Sequence, residues 1–144
     1  MNRGALRALA VVSLALVAAA GCDGRARAIK AELSPAEVRL FEQGRRAAAG
    51  CWACHDIYDT NNKIGPYLSG VFGRPAGSAR GFAYSEVLRS SGVVWDDRSL
   101  RAFLADVPGY LPGNRMVAPS IRSSQDLQAI VFYLEHATRP VRGG

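Results

Sequence analysis

The residues that usually carry metal and redox chemistry are scarce in this 144-residue chain. It has three cysteines (Cys22, Cys51 and Cys54), two histidines (His55 and His136) and two methionines, Met1 and Met116. With Met1 as the initiator, Met116 is the only internal methionine, and any metal or redox chemistry must draw on this short set. Lysine is nearly missing: Lys30 and Lys63 stand against sixteen arginines, and with twelve acids the net charge is +6. That excess is mild, and with no Lys/Arg run and no nucleic-acid motif it predicts no nucleic-acid partner. No stretch alternates apolar and polar residues as a half-buried strand would. No period recurs, which excludes repeat and collagen-like chains. What remains is ordinary globular usage, 49% hydrophobic and 21% charged, at the length of one domain.

The first residues read as an address. Arg3 and Arg7 precede residues 8–20, which are apolar apart from Ser13. Thirteen residues make a helix of ~20 Å against a hydrocarbon core of ~30 Å, so a signal peptide is expected and not a transmembrane helix. Ala19-Ala20-Gly21-Cys22 resembles the bacterial lipobox, in which the cysteine becomes a lipidated N-terminus; Ala19 stands where leucine is usual. Cleavage by ordinary signal peptidase after Ala20 or Ala28 fits a small-x-small rule as well. Residues 1–21 are accordingly assigned to the leader, 22–33 to a tether and 34–144 to the functional domain. Losing Arg3 and Arg7 from a net +6 leaves +4.

Four helices are expected in that domain, and no strand. Ser34, Pro35 and Glu37 mark the start of one that ends by Gly50. A short one runs from Ser85 to about Ser91. A third starts at Asp96 or Asp97, carries Leu100, Phe103 and Leu104 on one face, and stops before Pro108. In the last, capped by Ser123, Leu127, Ile130, Val131 and Leu134 follow the i, i+3, i+4, i+7 rule. Between the first two helices lie the 29 residues from Asp56 to Tyr84, with five Gly and two Pro. A structureless connection of that length is unusual in a compact domain. There is too little helix to fill its own core, which points to a large apolar cofactor.

Cys51-Trp52-Ala53-Cys54-His55 supplies the means of holding one. C-x-x-C-H is the covalent attachment pattern for c-type haem. Two thiols three residues apart each form a thioether to one vinyl group of the same porphyrin, and the turn between them places His55 beneath the iron. Other uses of the pair are less well provided for. A zinc site needs about four ligands and the chain has no second Cys/His pair; a thioredoxin-type dithiol needs a βαβ pattern; a Cys51–Cys54 disulfide would close a small strained loop. Met116, behind Pro112 and Gly113, is the candidate sixth ligand. His136 competes, but it lies off the apolar face of the last helix and reads as a surface residue. A thioether stabilises ferrous iron and raises the potential relative to bis-His ligation.

Taken in order, several motifs resemble those of the class I cytochrome c family, mitochondrial-type branch, over about residues 34–138. They are Cys51–His55, Gly65-Pro66-Tyr67-Leu68, Gly70-Val71-Phe72-Gly73-Arg74, Gly81-Phe82-Ala83-Tyr84, Gly92-Val93-Val94-Trp95, Tyr110 to Met116, and Tyr133-Leu134 in the last helix. The resemblance implies an all-α fold of about four helices and long loops wrapped around one covalently bound haem. It also implies that the Pro66 carbonyl orients His55, and that Arg74, Tyr84 and Trp95 surround the haem propionates. The chain departs from the family at several positions. Leu88 and Phe103 stand where Asn and Tyr are common, Ala118 where a bulky aromatic is, Asn114 for Thr and Tyr67 for Asn. Pro108 and Gly109 replace two lysines, and Gly44 lies one residue nearer Cys51 than usual.

The resemblance implies an electron-transfer protein and not an enzyme. Its expected donor is a quinol-oxidising complex, and its acceptor a terminal oxidase, a reductase or a photosynthetic centre. Arg45, Arg46, Lys63 and Arg115 are the candidate steering charges. A haem peroxidase or small-ligand binder with a labile Met116 is the alternative, carried by Ala118 and Leu88. The expected form is a monomer on the periplasmic side of a bacterial inner membrane, anchored through Cys22, or soluble in the periplasm if Cys22 is not lipidated.

Overall fold

The structure, a computed structural model, describes residues 20–118 and 120–139, with the backbone alone at residues 20–23. Most of the leader, residues 1–19, and the side chain of Cys22 lie outside the described residues. Two compact units follow one another along the chain, Met1–Ser34 and Pro35–Gly144. The described part of the first is a helix, α1, over Ala20–Ala31. Its Ala- and Arg-rich sequence suits a helix, which spans ~18 Å where a fully extended tether would span ~40 Å.

The second unit begins with α2, Pro35–Ala47, in which Pro35 occupies the first helical position as its fixed φ favours. A 3₁₀ turn over Ala49–Ala53 follows directly. Then come α3 (Glu86–Ser90), α4 (Asp97–Ala105), α5 (Val107–Tyr110) and α6 (Ser124–Ala137). α5 is an element that the sequence reading did not contain. Pro108 was read as a stop; it sits instead in the first turn of a new helix, where its missing N–H costs nothing, and Asp106 caps that turn by accepting from Gly109 N.

The core is the crossing of α2 and α6. Phe41 of α2 lies 4.9 Å, centroid to centroid, from Tyr133 of α6, and both are buried. Gly44 makes the close approach possible. A Cβ there would collide with the Ala129 carbonyl and come within 2.6 Å of the Tyr133 Cβ. The predicted apolar stripe of α6 is the buried face, with Ile130, Val131 and Leu134 in the core. Leu100, Phe103 and Leu104 of α4 are buried likewise, and Phe103 packs at 5.1 Å on Trp95.

The long connection from Asp56 to Tyr84 contains no helix or strand; it is laced by backbone bonds to distant segments. Gly70 N donates to Thr138 O at 2.6 Å, Leu68 N to Asp56 O at 2.7 Å, and Ala76 N to Val93 O at 2.8 Å. Pro75 and Val94 form an isolated antiparallel bridge. These bonds pair backbone groups of the stretch without regular structure.

Candidate haem site

The attachment turn grows out of the end of α2. Cys51 N donates to Ala48 O, and both Cys54 N and His55 N donate to Cys51 O. This tight 3₁₀ geometry puts both sulfurs and the imidazole on one turn. Both thiols are free and half-buried, and burial pushes the Cys51 thiol up from its ordinary pKa. Among the described residues no group of three or more His, Cys, Asp or Glu is placed to hold a metal ion between them.

His55 is 8% exposed, and its Nδ1 lies 2.6 Å from the Pro66 carbonyl oxygen. A carbonyl only accepts, so Nδ1 carries the proton and Nε2 keeps its lone pair for a metal. Burial holds the imidazole below its usual pKa, against the Pro66 bond, which raises it. A neutral, oriented imidazole is the ligating form. Gly65 lies flat against this ring. A Cβ there would meet His55 Cε1, and would lie 2.8 Å from Nδ1 and 2.9 Å from Nε2. The loop is locked to the turn by Gly65 N donating to Cys54 O at 2.8 Å, and by Lys63 Nζ donating to Trp52 O and His55 O.

The residues expected around the propionates also come together. Trp95 N donates to Arg74 O and Gly73 N to Trp95 O, so Arg74 and Trp95 sit on facing backbone. The Arg74 guanidinium donates to the carbonyls of Ser69 (3.0 Å) and Tyr67 (2.8 Å) and lies 4.8 Å over the Tyr67 ring. Tyr84 is half-buried; desolvation pushes its phenol up, and the nearby Arg74 charge opposes that.

The next residue, Ser85, was missed by the sequence reading except as a helix start. It stands at the N-cap of α3 but makes no capping bond. Its Oγ is a buried side-chain oxygen with no hydrogen-bond partner among the described residues. Buried hydroxyls are nearly always paired, and a haem carboxylate beside Tyr84 is a partner of the right kind. Two free thiols, an oriented neutral imidazole and this orphaned hydroxyl fit a covalently attached haem with buried propionates.

Met116 is half-buried on the loop after α5, while Val117 beside it is 97% exposed. Asn114 pins that loop. Its Nδ2 donates to Val107 O and Leu111 O, both at 2.8 Å, and its Oδ1 accepts from Met116 N at 2.9 Å. Arg115 donates to Ala83 O, which ties the Met116 loop beside Tyr84. His136, expected at the surface, is of intermediate exposure. It is stacked at 4.2 Å on Phe132, and its Nδ1 donates to Phe132 O at 2.9 Å. Leu88 and Ala118 are half-buried and Phe103 buried.

Three of the four candidate steering charges are tied into the fold. Arg45 pairs with Glu42 at 2.9 Å, which raises its pKa, and Lys63 and Arg115 serve backbone carbonyls. A cavity of about 330 Å³ beside the attachment turn is lined by Arg45, Trp52, Asp56, Tyr58, Lys63 and Tyr133, with others. The residues with the largest apolar exposure near the site are Ile64 (81%) and Val117 (97%). No helix among the described residues is long and apolar enough to cross a membrane.

An all-α chain that offers two thiols and a fixed imidazole from one turn defines a small haem-attaching redox protein. Comparison with known proteins gives its family. The Cytochrome c family model matches residues 41–138, and the chain belongs to that family. It is 41% identical over 85 residues to cytochrome c2 iso-2 of Magnetospirillum fulvum, covering 59% of this chain and 88% of that protein. To cytochrome c2 of Blastochloris viridis it is 31% identical over 108 residues, covering 74% and 85%. Among solved structures, cytochrome cH from Methylobacterium extorquens is similar at TM-score 0.62 and 40% identity, covering 65% of this chain and 95% of that one. The chain is thus an electron carrier with one covalent c-type haem, and not an enzyme.

Proposed function

We propose that this chain is an exported carrier of single electrons between membrane-bound respiratory or photosynthetic complexes. Its expected donor is a quinol-oxidising complex, and its acceptor a terminal oxidase, a reductase or a photosynthetic centre. Haem, when bound, supplies a one-electron ferric/ferrous couple. The chain's own residues do the rest. Cys51 and Cys54 fix the porphyrin covalently, and His55 donates its Nε2 lone pair from a ring that Pro66 and Gly65 hold in place. Met116, on the loop pinned by Asn114, would supply the second protein ligand to the iron. Arg74, Tyr84, Trp95 and Ser85 supply hydrogen-bond donors to the propionates, since a buried carboxylate has to be paired. His55 and Met116 together would hold the group in one place while it exchanges an electron. Residues 1–21 act as leader, and lipidation at Cys22 holds the carrier on the periplasmic side of the inner membrane.

The observation that carries this reading is the 2.6 Å bond from His55 to Pro66. It fixes the tautomer that leaves Nε2 to iron, on the same turn as two free thiols. The test is the visible spectrum of the purified protein and two variants. The wild type shows low-spin haem with the weak far-red band of an iron–methionine bond. Met116→Ala loses the band and has a lower potential, whereas His136→Ala changes neither. A colourless protein, or a bis-His spectrum in Met116→Ala, overturns the reading.

A further inference from the structure

We infer that Tyr67 is a positioning residue for Arg74: its ring and carbonyl hold the guanidinium where that charge sets the haem potential. This rests on the reading of Arg74 as a propionate partner. The notable fact is how many bonds converge on Tyr67. Its ring lies under the Arg74 guanidinium at 4.8 Å. Its carbonyl accepts from Arg74 Nη2 at 2.8 Å. Its own hydroxyl accepts from Arg80 N at 3.3 Å, and its backbone N–H donates to Asn62 Oδ1 at 3.2 Å. The ring is thus fixed at its far end and its backbone at the near end, and Arg74 rests between a second carbonyl, that of Ser69, and this platform.

Arginine has more side-chain entropy to lose than almost any residue, and a flat cation resting on an aromatic face loses less of it per bond formed. The Asn usual at this position in the family offers a hydrogen bond but no face. Here the guanidinium is held by stacking as well, and only two of its five N–H groups are used on the carbonyls. The Tyr84 phenol lies within electrostatic reach of both Arg74 and Tyr67.

Reduction of haem iron adds a negative charge, so a fixed cation nearby favours the reduced form and raises the potential. A cation that wanders toward solvent is screened and contributes less. On this inference Tyr67 acts on the potential through Arg74, which rests on its ring and carbonyl. That distinguishes it from a residue that only stabilises the loop.

The experiment is a double-mutant cycle on the holoprotein, read as midpoint potential by spectroelectrochemical titration. Arg74→Gln lowers the potential. Tyr67→Leu lowers it in the same direction by a smaller amount, and lowers it no further when combined with Arg74→Gln. Tyr67→Phe, which keeps the ring and loses only the bond to Arg80, stays close to wild type. If Tyr67→Leu does not assemble holoprotein, Tyr67→Asn makes the same comparison with a polar side chain and no ring. Equal shifts from the Tyr67 change with and without Arg74 overturn the inference, as does an unchanged potential in Tyr67→Leu or Tyr67→Asn. An unchanged potential in Arg74→Gln overturns the underlying reading of Arg74 instead.

Discussion

The backbone N–H of Met116 donates to the side-chain oxygen of Asn114, two residues earlier, at 2.9 Å. The same side chain uses its amide to hold two carbonyls of the preceding helix and turn, those of Val107 and Leu111. One residue therefore welds the candidate ligand loop to α5. Asn114→Ala removes three hydrogen bonds, each with a net contribution near 1 kcal/mol, so a loss of about 3 kcal/mol in folding stability is expected. A second effect follows from the location. The far-red band of the iron–methionine bond should weaken and disappear at lower denaturant than in wild type. Denaturant melts followed at that band and by far-ultraviolet circular dichroism check both. Coincident curves, shifted together, would mean that Asn114 supports the whole fold and has no special hold on Met116.

Two glycines take the same substitution with different consequences. Gly44→Ala drives a methyl group into the backbone of α6 at Ala129. Overpacking of this kind typically costs ~1–3 kcal/mol, and here the obstruction is main chain, so the upper end is expected. Gly65→Ala drives a methyl against the His55 ring. That ring has to tilt, and the Nδ1 bond to Pro66 lengthens. A lower stability is expected there too, together with a changed Soret and far-red spectrum that Gly44→Ala does not share. Thermal melts and optical spectra of the two variants side by side separate helix packing from ligand orientation.

Much of this was legible in the chain, and the part that was not has a physical cause. α6 follows from Ser123 and its apolar stripe, and the attachment turn from the spacing of Cys51, Cys54 and His55, because both signals are local. α5 was not legible because Pro108 has two meanings, stop and first turn, and only the Asp106 cap decides between them. The connection from 56 to 84 could be recognised as anomalous but not traced. Its order comes from bonds such as Gly70 to Thr138 that join residues far apart. Stacking of Arg74 on Tyr67 escaped for a similar reason, since no periodicity relates two loop residues seven apart. Ser85 read as a helix cap, which it is by position; that its hydroxyl makes no capping bond is visible only in three dimensions.

The acid side of the stability curve should respond to Asp96. This carboxylate caps α4 in a reciprocal capping box with Ser99: it accepts from Ser99 N at 2.7 Å while Ser99 Oγ accepts from Asp96 N at 2.8 Å. The bond from the Ser99 backbone N–H first, then that with the Ser99 side chain, hold the Asp96 carboxyl below its usual pKa. A carboxylate depressed in the folded state stabilises the fold above its unfolded pKa of about 3.9, and the contribution is lost as pH falls through the lower folded value. Asp96→Asn keeps a good cap without the charge. It should match wild type near neutral pH and lose less stability below about pH 4. Asp96→Ala should be less stable at every pH. Melting temperatures of the three proteins from pH 7 to pH 2 test this, and parallel curves for wild type and Asp96→Asn would remove Asp96 from the acid response.

The anchor decides what kind of carrier this is. A soluble carrier diffuses between many partners, whereas a lipidated one is confined to the membrane plane, where its effective concentration near membrane complexes rises without any new contact. Each buried methylene contributes ~0.8 kcal/mol, and stable anchoring takes about two acyl chains, which a lipoprotein-type modification of Cys22 would provide. Cys22 lies within the helix Ala20–Ala31, so residues 23–31 of the helix would follow the anchor. At ~1.5 Å per residue this stretch reaches less than half as far as an extended tether, which favours exchange with immediate neighbours over long excursions. Arg25 and Arg27 on it suit the anionic headgroup region. The mature protein should accordingly fractionate with membranes and be released by detergent but not by salt. Cys22→Ser should appear in the soluble fraction with an unchanged visible spectrum, because the haem domain from Pro35 onward is a separate compact unit. A mature N-terminus at Gly21 or Ile29, or wild-type protein already soluble in its own host, would remove the anchor and leave the haem site as described.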